Sequence, residues 1–171
     1  MKLDRIDVEL VRDTYEYDGK TYPNEYIALL INGKRIEGIF DVLEFAVPRI
    51  KNANWFIMTC SCGIAGCAGY FEGINVKRRA STVEWRDMEH KKNTFSKPFH
   101  AFNRAEYEAA QEKGLDLLYA LVREREAQPP VDDVDYKLQD NIIRWDSVEA
   151  LDKSVARYSD FIEKHRQSWS W

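Results

Sequence analysis

Two dipeptides, Asp18-Gly19 and Asn32-Gly33, fix much of what the first half of this chain can become. Each pairs residues that tolerate positive φ at both centres of a type I′ turn, and each lies between segments in which apolar and polar residues alternate. The second is the cleaner, because "EYIALLI" runs into Asn32-Gly33 and returns as "KRIEGIF". The pattern predicts an antiparallel meander that opens with Leu3 to Val11 and passes through both turns. Pro23 has no backbone donor, so the strand that holds it belongs at an edge or starts late.

A short helix is expected near 41–47. Asp41 can accept from the free N–H groups of a first turn, Glu44 lies three residues on, and Phe40 and Phe45 have the spacing of a hydrophobic staple. Pro48 ends it. "NWFIMT" then reads as a buried strand, and "GYFEGINVKRR" and "STVEWRDM" as two more, with Val83 and Trp85 on one face and Glu84 and Arg86 on the other.

The period changes near residue 103. Asn103 with Glu106 repeats the capping arrangement, Phe102 with Tyr107 repeats the staple, and Tyr107, Ala110, Gly114, Leu117, Leu118 and Leu121 recur at helical spacing. The spacing predicts a helix over about 104–126, closed before Pro129-Pro130. "AQPPVDDVDYKLQDN" is a linker by composition, and a last helix starts after Asp146 with a stripe of Val148, Leu151, Val155, Tyr158, Ile162 and His165. Strands over 1–102 followed by helices over 103–171 read as a single α+β domain. Its largely antiparallel sheet carries the two longer helices on one face.

At 171 residues, 44% hydrophobic and 32% charged, the composition is that of an ordinary globular domain. A formal charge of -4 offers no general attraction to nucleic acid or to an anionic membrane, so neither is an expected partner, and a basic protein fits better. The opening "MKLDRIDVELVRD" alternates charge with apolar residues and reads as a strand, not an export signal, which places the chain in the cytoplasm.

All three cysteines and four of the eight glycines lie in "TCSCGIAGCAGYFEG", residues 59–73. Three readings stay open. In the first, Gly63 and Gly66 make a tight turn and the cysteines fill small spaces beneath it. In the second, Cys60, Cys62 and Cys67 hold zinc, with His90 or His100 as the fourth ligand; against it, C-x-C is tighter than the usual knuckle and the loop itself lacks a fourth donor. In the third, a thiol does redox or nucleophilic chemistry, helped by Lys77, Arg78 and Arg79, although those three basics also read as a solvated strand end. No cofactor is required by the first reading.

"TCSCGIAGCAGYFEGINV", "TVEWRD" and "KPFHAFNRAEYEAA" together resemble a family of small bacterial cytosolic proteins marked by a CxCGxxGCxG loop, some of them similar to immunity-type proteins encoded beside secreted toxins. The likeness spans about residues 55–112 and implies no catalytic residues.

No G-x-S-x-G, P-loop, HExxH or GxGxxG pattern is present, which leans against an enzyme. His90 sits among charges, His100 between Phe99 and Phe102 reads as a packed histidine, and His165 extends a stripe. A non-catalytic protein-binding module, most concretely an immunity-like inhibitor of a basic toxin, is therefore the leading expectation. Its contact residues would be Asp132, Asp133 and Asp135 in the linker, through charge steering, and Trp169 and Trp171 in the terminal "SWSW", as aromatic anchors. The alternative is a zinc-binding or thiol-redox protein. Cysteine-to-serine changes separate the readings: with zinc bound, Cys62→Ser removes one zinc from the native mass and lowers stability. With a glycine turn, the native mass carries no metal in either protein.

Overall fold

The computed structural model describes residues 2–47, 52–59, 65–69, 71–88, 95–127 and 145–165. It opens on a long hairpin, β1 (Ile6–Tyr17) and β2 (Lys20–Ile31), paired from Ile6 opposite Ile31 to Tyr17 opposite Lys20. Asp18 and Gly19 turn it with φ of 49° and 68°. Asn32 and Gly33 turn the chain again, at 54° and 76°. The mechanism is the expected one: both centres of each turn are left-handed, which Asn, Asp and Gly accept at least cost. Pro23 faces Thr14 where, among the described residues, β2 has β1 as its only strand neighbour, so its missing N–H breaks no ladder there.

The return from the second turn is shorter than its alternation suggests. β3 is only Lys34–Arg35, and after Gly38, at φ 103°, the chain leaves to form β4 (Ile39–Phe40), which pairs with β6 (Met58–Thr59). "NWFIMT" divides in the same way, into β5 (Asn52–Trp55) and β6. β5 belongs to a second, wholly antiparallel sheet of order β5-β7-β8-β9, with β7 (Ile74–Arg78), β8 (Thr82–Asp87) and β9 (Phe99–Asn103). Val83 and Trp85 are buried, as their alternation predicts, and Arg86 is exposed.

Between β4 and β5, α1 (Val42–Ala46) begins where Asp41 accepts from the amides of Leu43 and Glu44, both at 3.1 Å. Phe40 and Phe45 meet at 5.2 Å, which is the staple. The cap is not reciprocal, since the Asp41 N–H goes to the Ile57 carbonyl at 2.8 Å and Glu44 instead accepts from the Tyr158 hydroxyl at 3.1 Å. α2 (Arg104–Glu126) starts on Asn103, which accepts from Ala105 and Glu106, and Phe102 lies 5.9 Å from Tyr107. It is placed where helical spacing puts it, because cap, staple and stripe agree on one start. α3 (Val148–His165) is capped by Ser147, whose hydroxyl accepts from the Ala150 amide, so the cap lies one residue after Asp146.

The core gathers round Trp85. Phe45, Phe95, Phe102 and Tyr107 meet its ring edge-on at 5.1 to 6.2 Å, and its indole N–H donates to the Tyr107 hydroxyl at 3.2 Å. α2 lies across the hairpin and α1, and α3 lies against α2, pinned by Tyr119 donating to Asp152 at 2.6 Å and by the buried Leu151. Burial, with the bond to Asp152 second, pushes the Tyr119 hydroxyl up to about 12.

Gly114 sits inside α2 over Val8, Val42 and Phe45. A β-carbon there would lie 3.5 to 4.0 Å from their side chains, ordinary contact distance. Alanine is a better helix former than glycine by about 1 kcal/mol, so Gly114→Ala should raise the unfolding free energy by about 0.5 to 1 kcal/mol. Urea denaturation checks it, and a loss of stability would show that α2 has no room to spare.

Candidate functional site

The residues singled out as partner contacts, Asp132, Asp133, Asp135, Trp169 and Trp171, lie outside the described residues, as do Cys60, Cys62 and His90. Cys67 lies in a 3-10 turn, Ala65–Ala68. Among the described residues no three His, Cys, Asp or Glu side chains gather closely enough to hold a metal ion.

His100 is packed, and it is also paired. It sits on β9 opposite Trp85, stacked on Phe102 at 5.9 Å and edge-on to Phe95 at 6.1 Å. Its Nδ1 lies 2.9 Å from Asp4 Oδ2, and Asp4 is itself only 7% exposed. Lys97 Nζ reaches the two oxygens of Asp4 at 3.0 and 2.8 Å, and Asn32 Nδ2 donates to Oδ1 at 2.9 Å. Asn32 also locks the chain beside Asp4: its side-chain oxygen accepts from the Arg5 amide and its own amide donates to the Arg5 carbonyl, both at 2.9 Å. The Asp4 amide donates to the Ala101 carbonyl at 2.7 Å, so residue 4 joins the hairpin to β9.

Burial pushes the Asp4 carboxyl up, but hydrogen bonds from Asn32, Lys97 and His100 outweigh it and hold the group at about 2, against an ordinary 3.8. Burial dominates at His100 and drives the imidazole below its usual 6.5, although Asp4 opposes this. Neutral imidazole beside an ionised carboxylate carries its proton on Nδ1 and donates it to Asp4. Nε2 is then an acceptor, buried without a hydrogen-bond partner among the described residues. A groove of about 1090 Å³ opens beside Asp4, lined by Lys2, Arg5, Asp7, Lys97 and Glu106 among others. An Asp-His pair could orient a general base, yet Nε2 is buried and His100 does not line this groove, so the arrangement is one that holds the chain together.

Arg78 differs from the expectation of a solvated strand end. Lys77 and Arg79 are exposed, but the Arg78 side chain is 7% exposed: it donates to Gln111 at 2.9 Å, lies 3.4 Å from Glu108 and stands over the Tyr107 ring at 5.3 Å. Gln111 in turn donates to the Phe45 carbonyl. The guanidinium is thus a polar rivet between β7 and α2, and its partners Glu108 and Gln111 sit 30 and 33 residues downstream, on a different element.

At the end of the second sheet nearest the cysteine loop, apolar side chains face outward. Phe71 is 75% exposed, Met88 39% and Phe56 37%. They share that end of the sheet, where Gly73, at φ 71°, lets the start of β7 pass against β5. A β-carbon on Gly73 would stand 2.8 Å from the Trp55 carbonyl and 3.3 Å from the Phe56 ring, and the Met88 amide approaches the Gly73 carbonyl at 3.4 Å. The Phe71 ring lies 3.6 Å from the β-carbon position of Gly66, in the 3-10 turn.

Comparison with protein-family models, with curated proteins and with solved structures finds no match to this chain, so the likeness of residues 55–112 to the CxCGxxGCxG proteins rests on its motifs alone.

The Asp4 carboxylate stabilises the fold while it is ionised. Its folded value lies below the unfolded one, so the contribution is present above about pH 4 and lost as pH falls through about 2. Asp4→Asn, which also deprives Lys97 of its charged partner, should cost about 2 kcal/mol near neutral pH, and the gap from wild type should narrow below about pH 4 and close only near about pH 2. Urea midpoints at three pH values test it, and a gap that stays constant with pH would refute the pairing.

Proposed function

We propose that the protein is a non-catalytic, cytoplasmic protein-binding module, in its most concrete form an immunity-like inhibitor that occludes a partner protein. The outward cluster of Phe71, Phe56 and Met88 carries this reading. Large apolar side chains gathered at one place on a surface mark a binding site more often than a lone exposed residue does, because each contributes affinity only when a partner removes it from water. Glu72, exposed beside Phe71, supplies the polar rim. The chain's -4 charge suits a basic partner, such as a toxin, and Asp132, Asp133 and Asp135 would add steering and Trp169 and Trp171 further anchors.

At 75% exposure Phe71 keeps most of its surface in water, so Phe71→Asp should cost less than about 1 kcal/mol of stability. Native mass spectrometry of the protein recovered from its host should show a second chain bound to wild type, weakened about tenfold or more by Phe71→Asp. A second chain retained at full occupancy by Phe71→Asp, by Asp-to-Lys changes at 132, 133 and 135 and by truncation after Ser168 would overturn the proposal.

A further inference from the structure

β1 is the outer strand of its sheet, and its hydrogen bonds show which backbone groups face outward. The Asp4 amide leaves the hairpin to meet the Ala101 carbonyl, whereas the Arg5 carbonyl accepts from Asn32 on the β2 side. The Val8 amide also points away from β2, since it donates to Asp7 Oδ1 at 2.8 Å. Thr14 stands opposite Pro23, whose missing N–H suits a pair without cross-strand bonds. Residues 4, 8 and 14 share one parity, so the N–H and C=O groups of Leu10, Arg12, Thr14 and Glu16 are directed away from β2. Among the described residues no strand meets them. Arg12, Thr14 and Glu16 are exposed, and α2, tied to the strand where Arg12 meets Glu124, ends at Glu126.

Charged side chains usually protect an open edge, because they repel or strand an arriving segment. Here they select one. Two copies of β1 laid antiparallel about Thr14 set Thr14 opposite Thr14 and Arg12 opposite Glu16 twice, in a ladder from Val11 to Tyr17. Centred on Arg12 or on Asp13, the same strands would oppose like charges. Centred on Tyr15, the ladder would shorten to 13–17 and lose Arg12. The groups that the first register needs are open. Glu25 takes Arg12 Nε at 3.0 Å and Glu124 takes Nη2, so among the described residues Nη1 has no partner. Thr21 donates to Oε1 of Glu16, which leaves Oε2.

We infer that β1 is the contact edge of a symmetric dimer, in which a second copy of this chain adds its own β1 antiparallel about Thr14 and the two hairpin sheets become one. Any extended segment can satisfy the backbone of an edge, but a second β1 also answers both charges at the spacing this edge presents. So short a ladder makes a small interface and a weak dimer. The contact lies in the first sheet, the Phe71 cluster at the end of the second, and the inference does not rest on the occlusion reading.

Sedimentation velocity of the full-length protein at low salt, from about 10 μM to about 1 mM, should show monomer giving way to dimer. Thr14→Pro removes an N–H that the hairpin does not use and should abolish the dimer. Arg12→Glu and Glu16→Arg each set like charges opposite one another twice, so each should weaken it about tenfold. The two together should restore it to within about threefold of wild type. An amide spectrum unchanged outside residues 10–26 confirms that each variant folds. A chain that stays monomeric throughout, a dimer that survives Thr14→Pro, or a double variant no tighter than the single ones would overturn the inference. So would a dimer lost on Phe71→Asp, since the apolar cluster would then be the contact.

Discussion

The structure depends on one side chain being surrounded. Trp85 is 1% exposed, and the four rings that meet it edge-on come from α1, from the segment before β9, from β9 itself and from α2. Edge-to-face pairs add roughly 0.5 to 1.5 kcal/mol each beyond the area they bury, and here they also fix relative angles between layers. The indole N–H is spent on the Tyr107 hydroxyl, so the ring is satisfied without water. Every other packing relation described, α2 over the hairpin and α3 over α2, is built outward from that cage.

What was legible in the sequence is what neighbours in sequence decide. The turns at Asp18-Gly19 and Asn32-Gly33, the caps at Asp41 and Asn103, the two staples and the start of α2 each follow from residues within five positions of one another, and the α+β class follows from their order. The division of "KRIEGIF" and of "NWFIMT" between two sheets was not legible, because alternation states which face a residue takes and not which strand it pairs with. Gly38, with its left-handed φ, was the available signal.

The polar interior was harder still. Asp4 reads as one more charge in an alternating strand, and nothing near it in sequence announces that His100, Lys97 and Asn32 will meet it. Arg78 has the look of a solvated basic run, and only the arrival of Gln111, Tyr107 and Glu108 on α2 makes it interior. Buried charge is compensated by partners that the fold brings from far away, so its role is invisible until the fold is known.

Asp4 also bears on the order in which the chain acquires its shape during synthesis. Its imidazole partner is 96 residues downstream, while the hairpin that follows it closes through a two-residue turn. Hairpins form in about 1 to 10 μs, but translation advances at only about 5 to 20 residues per second, so the first strand waits several seconds for β9 to emerge. The apolar inner side of the hairpin waits longer still, because α2, which covers it, follows β9, so the Asp4–His100 pair can close before the cover is complete.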